Sequence, residues 1–202
     1  EQMFDKLVAK LSSDPAVLFQ FMRLTIFENR INYSSNSGEP QRKVLDLCLN
    51  SRYQERYLEL TCQLEPATIM YALDVLQECN DVNALKICQH FGAKDGEAYV
   101  YEKTKQYKKS FDILMEDFKH TVNETIQCSF NNLQGNSEHL QFSPVDNKFG
   151  RVLDFCKRSF KHPIEEQTKQ GFCLSTLEFL IDTKTTLNNI FKMKNDKLLP
   201  QF

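Results

Sequence analysis

Glu97–Phe118 reads EAYVYEKTKQYKKSFDILMEDF, without a Gly or a Pro. From Tyr107 onward, Phe111, Leu114, Met115 and Phe118 recur at helical spacing and define one apolar face. Upstream, Ala98 and Tyr101 form a separate pair, with Tyr99 to one side. Extending the downstream face backwards reaches Lys103 and Thr104, which are polar. One straight helix would therefore bury charge, which is costly without a partner. The phase break predicts two helices, with the turn at Thr104-Lys105-Gln106 and with small Ala98 and Ser110 letting the axes come close. The absence of Gly in that turn counts against this reading, because Gly takes the left-handed conformation of a helix end most cheaply.

The same device recurs outward from this stretch. Asp14-Pro15 starts a helix, with Val17, Leu18, Phe21, Met22 and Ile26 at apolar spacing. Residues 32–40, NYSSNSGEP, read as a polar loop, and Pro40 restarts a helix carrying Val44, Leu45 and Cys48. Tyr53, Tyr57, Leu60 and Leu64 form the next stripe, then Pro66 opens a helix with Ile69, Leu73 and Leu76. After a polar break at Glu78–Asp81, Leu85, Cys88 and Phe91 lead to Gly92, a helix stop. Val122, Ile126, Phe130 and Leu133 prolong the helix that begins at Tyr107. Residues 134–148, QGNSEHLQFSPVDNK, read as a long loop. Phe149, Val152, Leu153, Cys156 and Phe160 form a stripe ended by His162-Pro163. A long helix from about Glu165 to Asn195 carries Cys173, Leu177, Leu180, Ile181, Leu187 and Phe191. Period-two alternation does not persist anywhere, so roughly nine or ten helices and no strand are expected. Short helices with short connections pack as antiparallel neighbours. The predicted architecture is all-α: an α-solenoid of antiparallel helix pairs, of the clathrin heavy chain or TPR-like kind. Its hairpin repeats span 1–133, a loop spans 134–148, and C-terminal helices of the same solenoid span 149–202.

Bulk composition agrees. Six Gly and six Pro in 202 residues supply little turn material for an all-β fold. A net charge of −2 removes the electrostatic basis for general nucleic-acid binding, so no nucleic-acid partner is expected. No run approaches the roughly 20 apolar residues of a membrane span. The seven Cys are scattered and form no CxxC, so they read as reduced core thiols of a cytosolic protein.

Chemistry-bearing patterns are weak. The four His are His90, His120, His139 and His162, and no HExxH pattern occurs. Cys79 with Cys88-Gln89-His90 does not have zinc-site spacing. Glu165-Glu166 falls at a helix start, where the helix dipole accounts for it. No catalytic, cofactor-binding or metal residue is assigned, and neither an enzyme nor a cofactor is expected. Lys103, Lys105, Lys108 and Lys109 make a basic patch that reads first as a solvated helix face. Contact with anionic lipid or an acidic partner is the minor alternative.

Residues 56–116, RYLELTCQLEPATIMYALDVLQECNDVNALKICQHFGAKDGEAYVYEKTKQYKKSFDILME, resemble the C-terminal α-solenoid of the vacuolar protein sorting-associated protein 8 family. These are subunits of the CORVET endosomal tethering complex. The pieces that carry the resemblance are Tyr57–Gln63, the Pro66 helix ending in Asp74-Val75-Leu76, and Ala98-Tyr99 followed by Tyr101-Glu102-Lys103 and Ile113–Glu116. The Ala-Tyr-x-x-Glu-Lys element is also general to clathrin-type repeats. The family commonly has Gly-Asp in the turn where this chain has Lys105-Gln106, and it adds a β-propeller and a RING-type zinc domain. Neither is present here, so the chain reads as an excised solenoid segment. The resemblance implies a non-enzymatic scaffold in endosomal fusion and in transport to the vacuole or lysosome. Its partners would be the other CORVET core subunits, with an indirect link to an early-endosomal Rab GTPase that is carried onto no residue. Its location would be cytoplasmic, peripheral on the early endosome membrane. The alternatives are a solenoid of a HOPS subunit or a coat chain, or an all-α enzyme or regulatory domain.

Overall fold

The computed structural model describes residues 2–32, 50–76, 79–132 and 143–198. Every regular element among them is helical. In order they are α1 (Gln2–Leu11), α2 (Pro15–Asn32), α3 (Ser51–Leu64), a 3-10 turn (Pro66–Thr68), α4 (Ile69–Val75), α5 (Asp81–His90), α6 (Lys94–Lys103), α7 (Tyr107–Asn132), α8 (Ser143–Ser159) and α9 (Glu166–Leu198). The chain divides into two compact units, Glu1–Ser110 and Phe111–Phe202. The division falls in the first turn of α7, ahead of the 134–148 segment singled out by composition. Of the expected polar loop at 32–40, Asn32 ends α2 and the rest lies outside the described residues, as do the helix carrying Val44, Leu45 and Cys48 and residues 133–142.

In the first unit, side-chain caps start the helices where the sequence supplies them. Asp14 Oδ1 accepts from the backbone N–H of Ala16 and Val17 at 3.1 and 3.2 Å, satisfying donors that a helix start leaves open. Asn50 and Asn80 do the same for Arg52 and Val82, at 3.0 and 2.8 Å. The residues of α1 carried no helix expectation; α1 packs on α2. Further packing joins α2 to α3, α3 to both α4 and α5, and both α4 and α5 to α6. The core runs through Leu18, Phe19, Met22, Tyr53, Tyr57, Leu58, Leu60, Ile69, Leu73, Leu76 and Val100. Phe19 stacks on Tyr57 with ring centroids 5.5 Å apart, and Phe4 meets Tyr53 edge-on at 4.9 Å. Two expected core positions are exposed instead, Val17 and Leu64. The α2 stripe is shifted by one position, so that Phe19 takes the interior place. At Pro66 the chain makes a 3-10 turn before α4 begins, and Leu76 is buried just past the end of α4.

The stretch 97–118 is two helices. α6 stops at Lys103 and α7 starts at Tyr107. Lys105 takes φ +62°. Its N–H donates to Glu102 O at 3.0 Å, and that of Gln106 donates to Tyr101 O at 2.8 Å. This pair of bonds is a Schellman turn, which satisfies the open carbonyls of the helix end. Ser110, fully buried, donates its hydroxyl to Ala98 O at 2.8 Å, so the two small residues do bring α6 and α7 together.

The second unit is built on phenylalanine. Phe111, Leu114, Met115, Phe118 and Val122 of α7 are buried, as the α7 periodicity predicts. Phe111 lies 5.9 Å from Phe155 of α8 and 4.6 Å from Phe172 of α9, and these two meet at 5.5 Å. Phe118 lies 5.5 Å from Phe149 and 5.3 Å from Phe179. Residues 143–148, read from composition as the end of a loop, are the first turns of α8. Pro144 fits an opening helical turn, where a missing N–H leaves no bond unmade. Lys148 reaches Asp117 of α7 in an ion pair. The buried faces of α8 and α9 differ from the expected stripes. Val152, Phe155, Cys156, Phe172 and Thr176 are inside, whereas Phe160, Leu177 and Ile181 are 52%, 54% and 63% exposed. The side chains of Ile26, Phe130, Leu133 and Phe191 lie outside those described.

Candidate interaction surfaces

Four features could carry function: two in the first unit, one in the second and one that occurs in both. The first is a groove of about 620 Å³ between α1 and α3, lined by Asp5, Ser12, Arg52, Tyr53, Glu55 and Glu59 among others. Its charges are turned largely onto the protein. Tyr53 donates its hydroxyl to Asp5, Asn83 donates to Glu55 at 2.7 Å, and Arg56 pairs with Glu59 at 2.7 Å. Groups engaged in this way hold α1 and α5 onto α3.

The second is the basic turn. Lys103, Lys105, Lys108 and Lys109 are all exposed. Lys103 pairs with Asp81 at 2.7 Å, and Lys109 lies over the Tyr101 ring at 5.4 Å while donating to Gln106 at 2.8 Å. Half of the patch thus fastens the turn itself, through exposed contacts each worth about 1 kcal/mol or less.

The third, in the second unit, is a stripe on α9. Leu174, Leu177 and Ile181 stand 56%, 54% and 63% exposed, at i, i+3 and i+7. The sequence placed Leu177 and Ile181 in the core; the stripe was missed because α9 carries apolar residues on more than one face.

The fourth is a set of interior thiols. Cys62 on α3 and Cys88 on α5 are both buried. The neighbouring Cys62 thiol and burial push Cys88 up, and Cys88 in turn draws Cys62 down. In the second unit, Cys156 on α8 is buried and Cys173 on α9 is half-buried. Burial pushes Cys156 up to about 11, and Cys79 likewise to about 11. Spacing could not reveal that Cys62 and Cys88 are neighbours, since they lie on different helices.

Of the four histidines that the sequence singles out, His139 lies outside the described residues. His90 is exposed against Phe91, and His120 faces Glu124 at 3.3 Å on the surface of α7. Cys79 and Cys88 are buried while His90 is exposed, so the three do not face one site. Among the described residues, no group of three or more His, Cys, Asp and Glu could hold a metal ion, and no helix is long and apolar enough to cross a membrane. Comparison with protein-family models, curated proteins and solved structures finds no match to this chain.

Proposed function

We propose that the chain is a non-enzymatic α-solenoid scaffold segment of an endosomal vesicle-tethering complex of the CORVET type. The packing order of α3 to α6 is the observation that carries it. α3 lies against α4 and α5 against α6, while α3 also packs on α5 and α4 on α6. Successive helix pairs stacked like on like produce this pattern, and a solenoid is such a stack. The tethering role rests on the resemblance of residues 56–116 to that family. In this reading the mechanism is geometric: the arm sets the spacing between the ends that engage a Rab GTPase and the core of the complex, at the early endosome surface.

Affinity capture of the full-length parent protein, with and without residues 1–202, tests it by mass spectrometry. Tethering-complex subunits that are recovered with the intact protein and lost on deletion are the expected result. Their retention after deletion would make the segment a spacer. Recovery of clathrin or late-endosomal HOPS subunits instead would keep the repeat class and overturn the complex.

A further inference from the structure

α9 carries two apolar faces on opposite sides of one helix. Phe172 and Thr176 are buried, and Phe179 meets Phe118 at 5.3 Å, so this side fastens α9 into its own unit. Leu174, Leu177 and Ile181 are exposed. At about 100° per residue they point roughly away from Phe172 and Thr176. Covering them therefore leaves the phenylalanine packing of the unit undisturbed. Their spacing of three and four is that of the a and d positions in a seam between two helices. A single exposed leucine is ordinary, whereas a row of three in this register is a contact surface. Gln167 and Gln170 bound the row at one end, and Thr185 and Asn188 at the other. The apolar seam is thus about 11 Å long, at about 1.5 Å per residue.

Charge at the margin selects what fits. Glu178 and Asp182, one turn apart, stand exposed along one margin of the row, and neither forms an ion pair among the described residues. Lys184 is exposed on the other margin, beyond Ile181. We infer that the row is a docking surface for an amphipathic helix of a partner protein. That helix has Leu or Ile at its own a and d positions, and Lys or Arg along the margin that meets Glu178 and Asp182. Helix against helix is the geometry in which i, i+3 and i+7 anchors are read together. A second copy of this chain fits less well. Laid antiparallel, it sets two acidic margins against each other; laid parallel, it leaves both unpaired, and like charges brought together oppose association. An anionic membrane is repelled by the same two carboxylates. The inference stands on α9 alone and does not depend on the tethering reading.

The test uses the 202-residue chain and two fluorescent three-heptad peptides, each with Leu at a and d and Gln at b, c and f. One carries Lys at e and g, and its twin carries Glu there. By fluorescence anisotropy the Lys peptide should bind about tenfold more tightly than its twin at low salt. The ratio should shrink at about 0.5 M salt, where exposed charges are screened. Leu177→Gln combined with Ile181→Gln should weaken the Lys peptide by about tenfold or more. Thermal melting should barely move, because both side chains are already in water. Glu178→Lys combined with Asp182→Lys should turn the preference round, towards the Glu twin. The inference is overturned if neither peptide binds, if the glutamine variant binds the Lys peptide as the unaltered chain does, or if the charge-reversed variant keeps the original preference. It is equally overturned if sedimentation shows a dimer that the glutamine variant dissolves, since a second copy would then occupy the row. Capture of the chain by phosphatidylserine vesicles, lost in the glutamine variant, would overturn it in favour of a membrane.

Discussion

The α4–α6 part of the first unit and the whole of the second solve the packing of helices in opposite ways. In the first, α6 is drawn close to its neighbours through residues with almost no side chain. A Cβ at Gly96 would lie 2.7 Å from Cys88 Sγ and 2.8 Å from Ile69 Cγ1, and buried Ala98 takes the hydroxyl of Ser110 directly on its carbonyl. In the second, α7, α8 and α9 are held by phenylalanine rings at centroid distances of 4.6 to 5.9 Å. The glycines there, Gly150 and Gly171, have nothing within 4 Å of the point where a Cβ would stand. Small-residue contacts fix the distance between backbones; large rings fill a wider gap and leave the backbone slack.

The largest effect should come from the centre of the ring cluster. Phe111, 5% exposed, touches both Phe155 and Phe172. Phe111→Asp removes a core aromatic and puts an unpaired carboxylate in its place, at a cost of at least about 4 kcal/mol. Hydrogen exchange should show protection lost in α7, α8 and α9 and largely kept in α3 to α6. Unchanged melting would mean that the rings do not hold this unit together.

A second experiment separates the two packing modes by sign. In an open helix, Gly→Ala stabilises by about 0.5–1 kcal/mol through propensity and a stiffer unfolded chain. Gly150→Ala and Gly171→Ala should show that gain in urea melts. At Gly96 the same methyl collides with the Cys88 sulfur and with Ile69, and overpacking costs about 1–3 kcal/mol. Gly96→Ala should therefore be destabilising. If all three substitutions stabilise alike, the close approach of α6 to α4 and α5 is not real.

What the sequence revealed follows the same division. The faces of α4 and α7 were legible because their apolar residues occupy one stripe, and Ile69, Leu73, Phe111, Leu114 and Phe118 are all buried. α9 was not, because it offers two stripes. Phe172 and Phe179 stand at i and i+7, and Leu174, Leu177 and Ile181 make the other set. The first faces the protein because Phe111 and Phe118 present rings to it, a choice made by a neighbouring helix and invisible to periodicity. Phe155 displaced Phe160 from the α8 core in the same way. The proximity of Cys62 to Cys88 was illegible for a related reason: each cysteine looks like a small core residue until its facing helix is known.

The smallest effect is the most local, and it concerns two turns of one geometry. At the end of α5, Gly92 has φ +66°, its N–H donates to Gln89 O at 3.2 Å, and the next N–H, of Ala93, donates to Cys88 O at 2.8 Å. Lys105 repeats this arrangement at the end of α6 with φ +62°. The first turn was readable from its glycine and the second only from the phase break around it. The left-handed conformation costs a residue with a Cβ about 1–2 kcal/mol, a cost that glycine escapes. Gly92→Ala should accordingly destabilise by about 1 kcal/mol. Lys105→Gly should stabilise by about 0.5 kcal/mol, the relief of strain being offset in part by the greater freedom of glycine in the unfolded chain. Opposite shifts of the urea midpoint are the expected outcome. A loss of stability in Lys105→Gly would mean that the lysine side chain contributes more to the turn than its backbone strain removes.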